Sequence, residues 1–366
     1  MEKCRSVIDH YGVGSCGPRG FYGSQKTHID LEKKCFQFFG TEDCILYSYG
    51  FATISSVIPA FAKRSDLIVV DEGCSYPIQH GTELSRATVK RFHHNDMDDL
   101  ERILKEITTG HMKRLQKEQR RYIITQGVFE NTGDVALLKR IVELKNKYKI
   151  RLVVDDSFGA GVLGKSGRGI IEHSKCEPSD VDILVINLEN ALGGVGGVCL
   201  GSQAMVRHQR LMGLAFTFSA SLPPYTSAAA KYAIESLEEN PHRIEVLREN
   251  IRIMHTMLNK QLHPRLRLDT SLNSPIFHLR MADSRRSHDE NNDAFEIFES
   301  IAARCLERGL AVAVPKYSEK EWMPIDPSLR LTISSEHTEE VIQRGGDILK
   351  EIIDEVFDSV SPTKTF

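Results

Sequence analysis

Two short apolar runs in this sequence end in polar residues that could face a ligand. Asp155 follows the run 152–154, and Asn187 and Asn190 follow the run 182–186. Ligands of open α/β sheets bind beyond the carboxyl ends of the strands, so these residues lie where a site would form. The structural alternative for Asp155 is that its carboxylate only caps a turn at the strand end. Asn190 offers no nucleophile, because the nitrogen lone pair of an amide is delocalised and cannot form a Schiff base.

A glycine-rich segment near the start of the chain is the second candidate site. Residues 11–23 contain five glycines, and His28, Leu31 and Glu32 follow them at the spacing HxxLE. Closely spaced glycines permit a backbone path that side chains would forbid, and they allow close approach to a ligand. A single GxG would fit an ordinary turn equally well, whereas its combination with HxxLE is more specific.

Apolar periodicity predicts the elements that must position these residues. Strand-like and helix-like patterns alternate, which favours an α/β fold with a mostly parallel central sheet flanked by helices. The predicted strands span residues 67–70, 88–92, 122–125, 152–154, 182–186 and 198–200. One helix is predicted to begin after Asn95 as its N-cap, and another spans 135–148.

The pattern changes after residue 224. It predicts helices at 226–238, 243–261, 294–308 and 339–357, with strands at 275–279 and 329–333. We therefore expect a large domain over residues 1–238 and a smaller C-terminal α+β domain over residues 239–366.

Composition narrows the class of function. The 366-residue chain has a formal net charge of -3, which does not favour nucleic-acid binding, and the basic stretch 113–121 is interpreted as solvated surface. Its eight cysteines form no CxxC pair, so zinc is not predicted and the thiols are expected to be buried in a reducing compartment. No signal peptide is visible, and the apolar stretch 49–62 is too short to span a bilayer. The chain as written is expected to be soluble.

Four segments, in chain order, resemble the α-oxoamine synthases. These are fold-type-I pyridoxal phosphate enzymes that condense an amino acid with an acyl-CoA and release carbon dioxide. The segments are residues 11–32, 47–52, 155–169, and 185–194 followed by 216–224. The resemblance covers nearly the whole chain and implies the fold-type-I transferase fold. Because the chain begins shortly before the glycine-rich loop, we expect the large domain to be truncated at its N-terminal side.

The resemblance also implies roles for individual residues. Asp155 matches the aspartate that pairs with the protonated pyridine nitrogen of the cofactor. The turn 47–52 matches a helix N-terminus that binds the cofactor phosphate. Ser219, with Ser221 as the alternative, matches a hydroxyl that reaches across the dimer to the cofactor phosphate of the other subunit. The loop at the interface and the acyl-CoA entrance is expected to include Gly12, Gly14, Arg19 and Tyr22.

The departures from the family pattern fall on its catalytic positions. Asn190 replaces the Schiff-base lysine, Ser75 replaces the histidine that stacks on the cofactor ring, and residues 312–317 lack the family's substrate-carboxylate arginine. Lys165 and Lys175 do not end buried strands, so neither is expected to take the place of the lysine. We therefore predict no catalytic residue and no metal site in this chain. Pyridoxal phosphate is expected to be held by the lysine of a catalytic partner subunit.

Two other interpretations remain open. The chain could be a truncated regulatory pseudoenzyme that sequesters the catalytic subunit or does not assemble with it. It could also be a self-sufficient pyridoxal phosphate enzyme that uses another lysine, although the matching segment has no strand-end lysine. Co-purification with an active catalytic subunit would distinguish a working subunit from a sequestering one.

Overall fold

The computed structural model describes residues 2–109, 119–283 and 288–359. The chain divides into two compact units, each described here by itself. The larger unit comprises Met1–Phe129 and Ala136–Pro241, and the smaller unit comprises Glu130–Val135 and His242–Phe366. Most of the basic stretch 113–121 lies outside the described residues.

A seven-stranded sheet forms the centre of the larger unit. Its strands are β1 (Asp43–Tyr47), β2 (Leu67–Asp71), β3 (Thr88–Phe92), β4 (Arg121–Gln126), β5 (Arg151–Asp155), β6 (Ile183–Asn187) and β7 (Gly197–Gly201). They lie in the order β1-β7-β6-β5-β4-β2-β3. Strand β7 is antiparallel to both of its neighbours, and the other pairs are parallel. The prediction of an α/β fold with a mostly parallel sheet is confirmed.

Ten helices accompany this sheet in the described part of the larger unit. They are α1 (Glu2–Tyr11), α2 (Lys26–Phe39), α3 (Gly50–Phe61), α4 (Tyr76–Ser85), α5 (Met97–Thr109), α6 (Leu138–Tyr148), α7 (Ile170–His173), α8 (Gln203–Met212), α9 (Leu214–Thr217) and α10 (Pro224–Glu239). The inner strands are buried on both faces, and all five residues of β2 are buried, whereas the edge strand β3 is mostly exposed. Such continuous apolar strands are expected where helices cover both faces of a parallel sheet.

The start of α5 corrects one prediction from the sequence. Asn95 is not the N-cap; its backbone has a φ of 53° and lies in the left-handed region. Instead, one carboxylate oxygen of Asp96 accepts hydrogen bonds from the backbone N–H groups of Asp98 and Asp99, at 3.0 and 2.9 Å. Asp and Asn are equally good caps, so the pattern alone could not choose between adjacent residues. The apolar face predicted for this helix is confirmed, because its five apolar residues are buried.

The smaller unit packs helices against a three-stranded antiparallel sheet. Its elements are α11 (His242–Gln261), β8 (Leu266–Asp269), β9 (Ile276–Met281), α12 (His288–Glu307), β10 (Leu329–Thr332) and α13 (Glu339–Ser359), with β9 in the centre of the sheet. The sequence did not predict β8, whose residues 266–269 alternate apolar and charged side chains. None of the described helices is both long and apolar enough to cross a bilayer.

Candidate functional site

Asp155 ends β5 at the carboxyl edge of the large sheet. Its side chain is only 4% exposed, and one carboxylate oxygen accepts hydrogen bonds from the backbone N–H of Ser157, at 3.0 Å, and from the Ser157 hydroxyl. Burial raises the pKa of this carboxyl to about 6, although the two bonds from Ser157 act in the opposite direction. No basic side chain among the described residues lies within ion-pair distance of Asp155. The carboxyl could therefore accept a cationic ring nitrogen.

Asn190 lies beside the turn that follows Asp155. Its amide nitrogen donates a hydrogen bond to the backbone carbonyl of Ser157 at 2.9 Å. The hydroxyl of Ser157 also accepts a bond from the backbone N–H of Asn187 at 3.0 Å. Ser157 therefore joins the end of β5 to the end of β6, and the structure brings Asn190 and Asp155 to one place.

Ser75 lies at the same edge of the sheet. Its backbone N–H donates to the side-chain carbonyl of Gln126 at 2.8 Å, and Gln126 is the register partner of Asp155 in the parallel pair β4–β5. The Ser75 side chain is buried, 3% exposed, and has no aromatic face to place against a cofactor ring. The two positions that the resemblance assigns to covalent attachment and ring stacking thus carry an amide and a hydroxyl at the edge of the sheet where Asp155 lies.

Helix α3 begins next to these residues. A Cβ atom on Gly50 would lie 2.2 Å from the amide nitrogen of Asn187, so a larger residue here would have to displace the Asn187 side chain. No side chain caps the N-terminus of α3, where the first N–H groups of a helix have no partner within the helix. This end of α3 is the part of the site that could accept an anionic group.

These residues do not fit a covalently bound pyridoxal phosphate in this chain. Asp155 suits the ring nitrogen and the start of α3 suits a phosphate, but Asn190 cannot supply the Schiff-base nitrogen. The only nitrogen of the Asn190 side chain is this amide, which is bonded to the Ser157 carbonyl. We therefore derive no reaction step in this chain from the cofactor.

The glycine-rich loop forms one structural unit with the stretch 216–224. The buried hydroxyl of Ser221 lies within hydrogen-bond distance of the Gly17 carbonyl, at 3.0 Å, of the Gly23 carbonyl, at 2.5 Å, and of the Ser15 hydroxyl, at 2.7 Å. A Cβ atom on Gly23 would lie 1.7 Å from the Gly17 carbonyl oxygen, so the loop closes only with glycine there. The Ser221 backbone N–H also donates to the Gly17 carbonyl at 2.9 Å, so Ser221 joins two segments that lie about two hundred residues apart in the sequence.

His28 makes a second connection between these segments. Its Nδ1 accepts the backbone N–H of Gln25 at 3.1 Å, so Nε2 carries the proton and donates to the Leu222 carbonyl at 2.8 Å. Burial lowers the pKa of His28, which keeps the ring neutral and this arrangement intact at neutral pH. The buried histidine of the HxxLE motif thus holds the end of the glycine-rich loop next to Leu222.

The four loop residues expected at an interface occupy two different environments. Gly12 and Gly14 have open space around them, and Tyr22 is 74% exposed. Arg19 instead points inward and is 8% exposed, because its guanidinium forms a two-bond ion pair with Glu32 at 3.0 Å. The structure therefore gives Arg19 a supporting position under the loop, which the sequence did not indicate.

Ser219 and Ser221 are expected to differ when each is replaced by alanine. Ser221→Ala should lower the free energy of unfolding by about 1–3 kcal/mol, because the buried Gly23 carbonyl loses its hydroxyl donor, whereas the Gly17 carbonyl keeps the Ser221 N–H at 2.9 Å. Ser219 is half-buried and donates only to the Ala215 carbonyl at 2.5 Å, so Ser219→Ala should change stability by less than about 0.5 kcal/mol. Urea unfolding of both variants measures the difference; equal losses would show that Ser219 is also structural.

The sequence missed Ser157, Gln126 and the supporting position of Arg19. Ser157 and Gln126 act through the register of β4, β5 and β6, which brings together residues about thirty positions apart. A short polar residue directly after a strand-end aspartate was the available signal for Ser157, since serine readily bonds to neighbouring backbone groups.

Comparisons with known proteins identify the family of this chain. The family model for aminotransferase class I and II matches residues 2–349. Serine palmitoyltransferase 1 of Dictyostelium discoideum is 40% identical over 356 residues, which cover 97% of this chain and 74% of that protein. Long chain base biosynthesis protein 1b of Oryza sativa subsp. japonica is 42% identical over 353 residues, covering 96% of this chain and 72% of that protein.

A solved structure extends the likeness to the fold. It is a lysine-to-alanine variant of serine palmitoyltransferase from S. paucimobilis with bound PLP–myriocin aldimine. It is 26% identical to this chain and superimposes with a TM-score of 0.85, covering 98% of this chain and 84% of the other. The likeness therefore includes both the strands that carry the site and the smaller unit.

Proposed function

The chain belongs to the class I and II aminotransferase family, and we propose that it is the non-catalytic subunit of serine palmitoyltransferase. That heteromeric enzyme condenses L-serine with palmitoyl-CoA to give 3-oxosphinganine, CoA and carbon dioxide, the first step of sphingolipid and long-chain base biosynthesis. The observation that carries the proposal is Asn190, whose amide lies beside Asp155 where the family's nucleophilic lysine is expected. The partner subunit supplies the lysine that holds pyridoxal phosphate, and the cofactor there acts as the electron sink for the reaction.

An exposed apolar surface supports the proposed assembly. We call it the loop surface, and it consists of Val13, Phe21, Tyr22, Leu214 and Phe218, which are between 60% and 79% exposed. Its two parts are held together by Ser221, which bonds to the loop carbonyls. Large apolar side chains grouped on a soluble surface commonly mark a protein interface. In the proposed complex this surface contacts the catalytic subunit and completes its acyl-CoA entrance, and Ser219 supports the partner's cofactor phosphate.

Further partners and a location follow from the same proposal. Small activating subunits and ORM-family regulators are candidate partners of the complex, with L-serine and palmitoyl-CoA as its substrates. The proposed location is the cytosolic face of the endoplasmic reticulum membrane, reached through the complex. The alternative function, a regulatory pseudoenzyme that sequesters the catalytic subunit, would use the same loop surface and differs in the activity of the complex formed.

The test compares the purified chain with the chain co-expressed with a lysine-bearing catalytic subunit. We expect visible absorbance from protein-bound pyridoxal phosphate, and serine–palmitoyl-CoA condensation, only in the complex. Absorbance from the chain alone would refute the inference from Asn190. A complex that forms but stays inactive would favour the sequestering pseudoenzyme.

A charged substitution tests the loop surface within the same experiment. Phe218→Asp should lower the recovery of the catalytic subunit at least about tenfold, because the most exposed aromatic side chain of the loop surface is replaced by a charge that must be desolvated. Leu306→Asp is the matched control, since Leu306 is 67% exposed but belongs to α12 of the smaller unit. Equal recovery with both variants would place the interface elsewhere.

A further inference from the structure

A cavity opens at the edge of the large sheet opposite to Asp155 and Asn190. It lies where β4, β5 and β6 begin and where β7 leads into α8, so it is formed entirely within the larger unit. Its volume is about 330 Å³, which is at the small end of the range for ligand pockets. At about 30 Å³ for each water in the liquid, it has room for a ligand of about eleven non-hydrogen atoms.

The floor of this cavity is apolar and its rim is cationic. Phe61, Tyr122 and Ile183 form the floor, and each is at most 8% exposed. Arg120 and Arg151 reach the rim from the starts of neighbouring strands. Both arginines line the cavity together with Tyr122; burial raises the pKa of the Tyr122 phenol, and the charges of the two arginines act in the opposite direction.

The charges around the cavity leave one arginine without a counterion. Arg120 forms an ion pair with Asp66 at 3.2 Å, and the carboxylate of Asp182 is paired with Lys145 at 3.0 Å. Arg151 has no carboxylate within ion-pair distance among the residues that the structure describes. The positive end of α8 opens at Ser202 on the same rim and adds to this charge. The cavity therefore has a net positive charge over an apolar floor.

We propose that this cavity binds a small amphipathic monocarboxylate. Its carboxylate pairs with Arg151, whose planar guanidinium can donate two parallel hydrogen bonds to it. Its apolar body lies on Phe61, Tyr122 and Ile183 and removes their remaining exposed surface from water. A dianion is disfavoured because only one cation is uncompensated. The site is separate from the carboxyl edge of the sheet, and the proposal does not depend on the proposed function.

The methyl group of Met205 provides a direct probe, because this side chain lines the cavity. The full chain is labelled with [methyl-¹³C]methionine, and Met205→Leu assigns the signal among the nine methionines. The labelled protein is titrated with 4-ethylbenzoate, which has the size that the cavity holds, and separately with the uncharged 4-ethylbenzamide. We expect a saturable shift of the Met205 signal with the carboxylate at or below about 10 mM, and none with the amide.

Two variants test separately the charge of Arg151 and the open volume of the cavity. Arg151→Gln should weaken binding of 4-ethylbenzoate at least about tenfold, because a charge-assisted pair is lost. The matched control is Arg140→Gln, an exposed arginine on α6 that pairs with Glu143 at 3.2 Å and should leave binding unchanged. Ala204→Trp, which fills the rim, should abolish the shift while Arg151 is kept. The proposal is overturned by a missing shift, by an equal shift with the amide, or by unchanged affinity in Arg151→Gln.

Discussion

Replacing Glu32 with glutamine is expected to lower the free energy of unfolding of the larger unit by about 3–5 kcal/mol. The Glu32 carboxylate accepts two hydrogen bonds from Arg19, each 3.0 Å long, and one from the backbone N–H of Leu46 at 2.9 Å. Both charged side chains are buried, with exposures of 5% for Arg19 and 8% for Glu32. An amide keeps an acceptor for Leu46 but has no charge, so the guanidinium would remain buried without its counterion. It would keep only neutral acceptors, namely the Ser24 hydroxyl at 2.9 Å and the amide oxygen, because one Glu32 oxygen accepts from both Leu46 and Arg19.

Urea unfolding followed by circular dichroism measures this loss. Glu143→Gln is the matched control, because that carboxylate is 51% exposed and pairs with Arg140 at the surface, where ion pairs contribute about 1 kcal/mol or less. Removing both charges, in Arg19→Met with Glu32→Gln, should restore part of the stability because no buried charge is left unpaired. A loss below about 1 kcal/mol in Glu32→Gln alone would show that the pair does not hold the loop.

Most helices and strands were predictable because each corresponds to a local pattern of apolar residues in the sequence. The apolar runs of β2, β5 and β6 and the buried face of α5 could be identified without any knowledge of tertiary contacts. Helix α6 begins at Leu138, three residues after its predicted start, because the Ala136 N–H bonds to the Gly127 carbonyl at 3.0 Å. That contact joins residues outside the periodic segment, so the pattern could not include it.

The candidate site was predictable only at the level of segments. Ser221 was the alternative to Ser219 for a partner contact, and in the structure its hydroxyl is fully engaged with the loop carbonyls of its own chain. His28 and Arg19 likewise bond to residues of the same unit. Sequence spacing shows that such residues occur together, but which atoms they meet depends on how the chain folds back across roughly two hundred residues.

Replacing Asp155 with asparagine is expected to stabilise the isolated chain at neutral pH. The pKa of this carboxyl is about 6 in the folded chain and has an ordinary value of 3.8, so the folded state binds the proton more tightly. Its contribution to stability is complete below about pH 3.8 and is lost as the pH rises to about 6. The interval corresponds to about 3 kcal/mol at 1.36 kcal/mol for each pH unit. Asparagine avoids this loss and can still accept the two hydrogen bonds from Ser157.

Unfolding free energies at pH 4 and pH 7 test this expectation. The gain of Asp155→Asn over the parent chain should grow between these values, by up to about 3 kcal/mol. Asp9→Asn, at an exposed position of α1, should show no such growth. Asp156 adjoins the site, and burial, together with the charge of Asp155, raises the pKa of its carboxyl well above the usual range. The variant therefore keeps the part of the Asp156 pH dependence that comes from burial and loses the part that comes from the Asp155 charge. Parallel pH profiles for the parent and Asp155→Asn would contradict the assignment.

The activity of a complex that contains Asp155→Asn tests whether the Asp155 carboxyl takes part in the reaction of the assembled enzyme. If the catalytic subunit alone holds pyridoxal phosphate, Asp155→Asn should stabilise this chain and leave the condensation rate of the complex unchanged. In that case Ser157 bonds to the buried Asp155 carboxyl, which has no cofactor nitrogen to pair with, and to Asn190, which stands in place of the Schiff-base lysine. A fall in activity with normal assembly would instead show that this chain's own site still acts in the reaction, because a gain in stability alone cannot slow a step at another subunit.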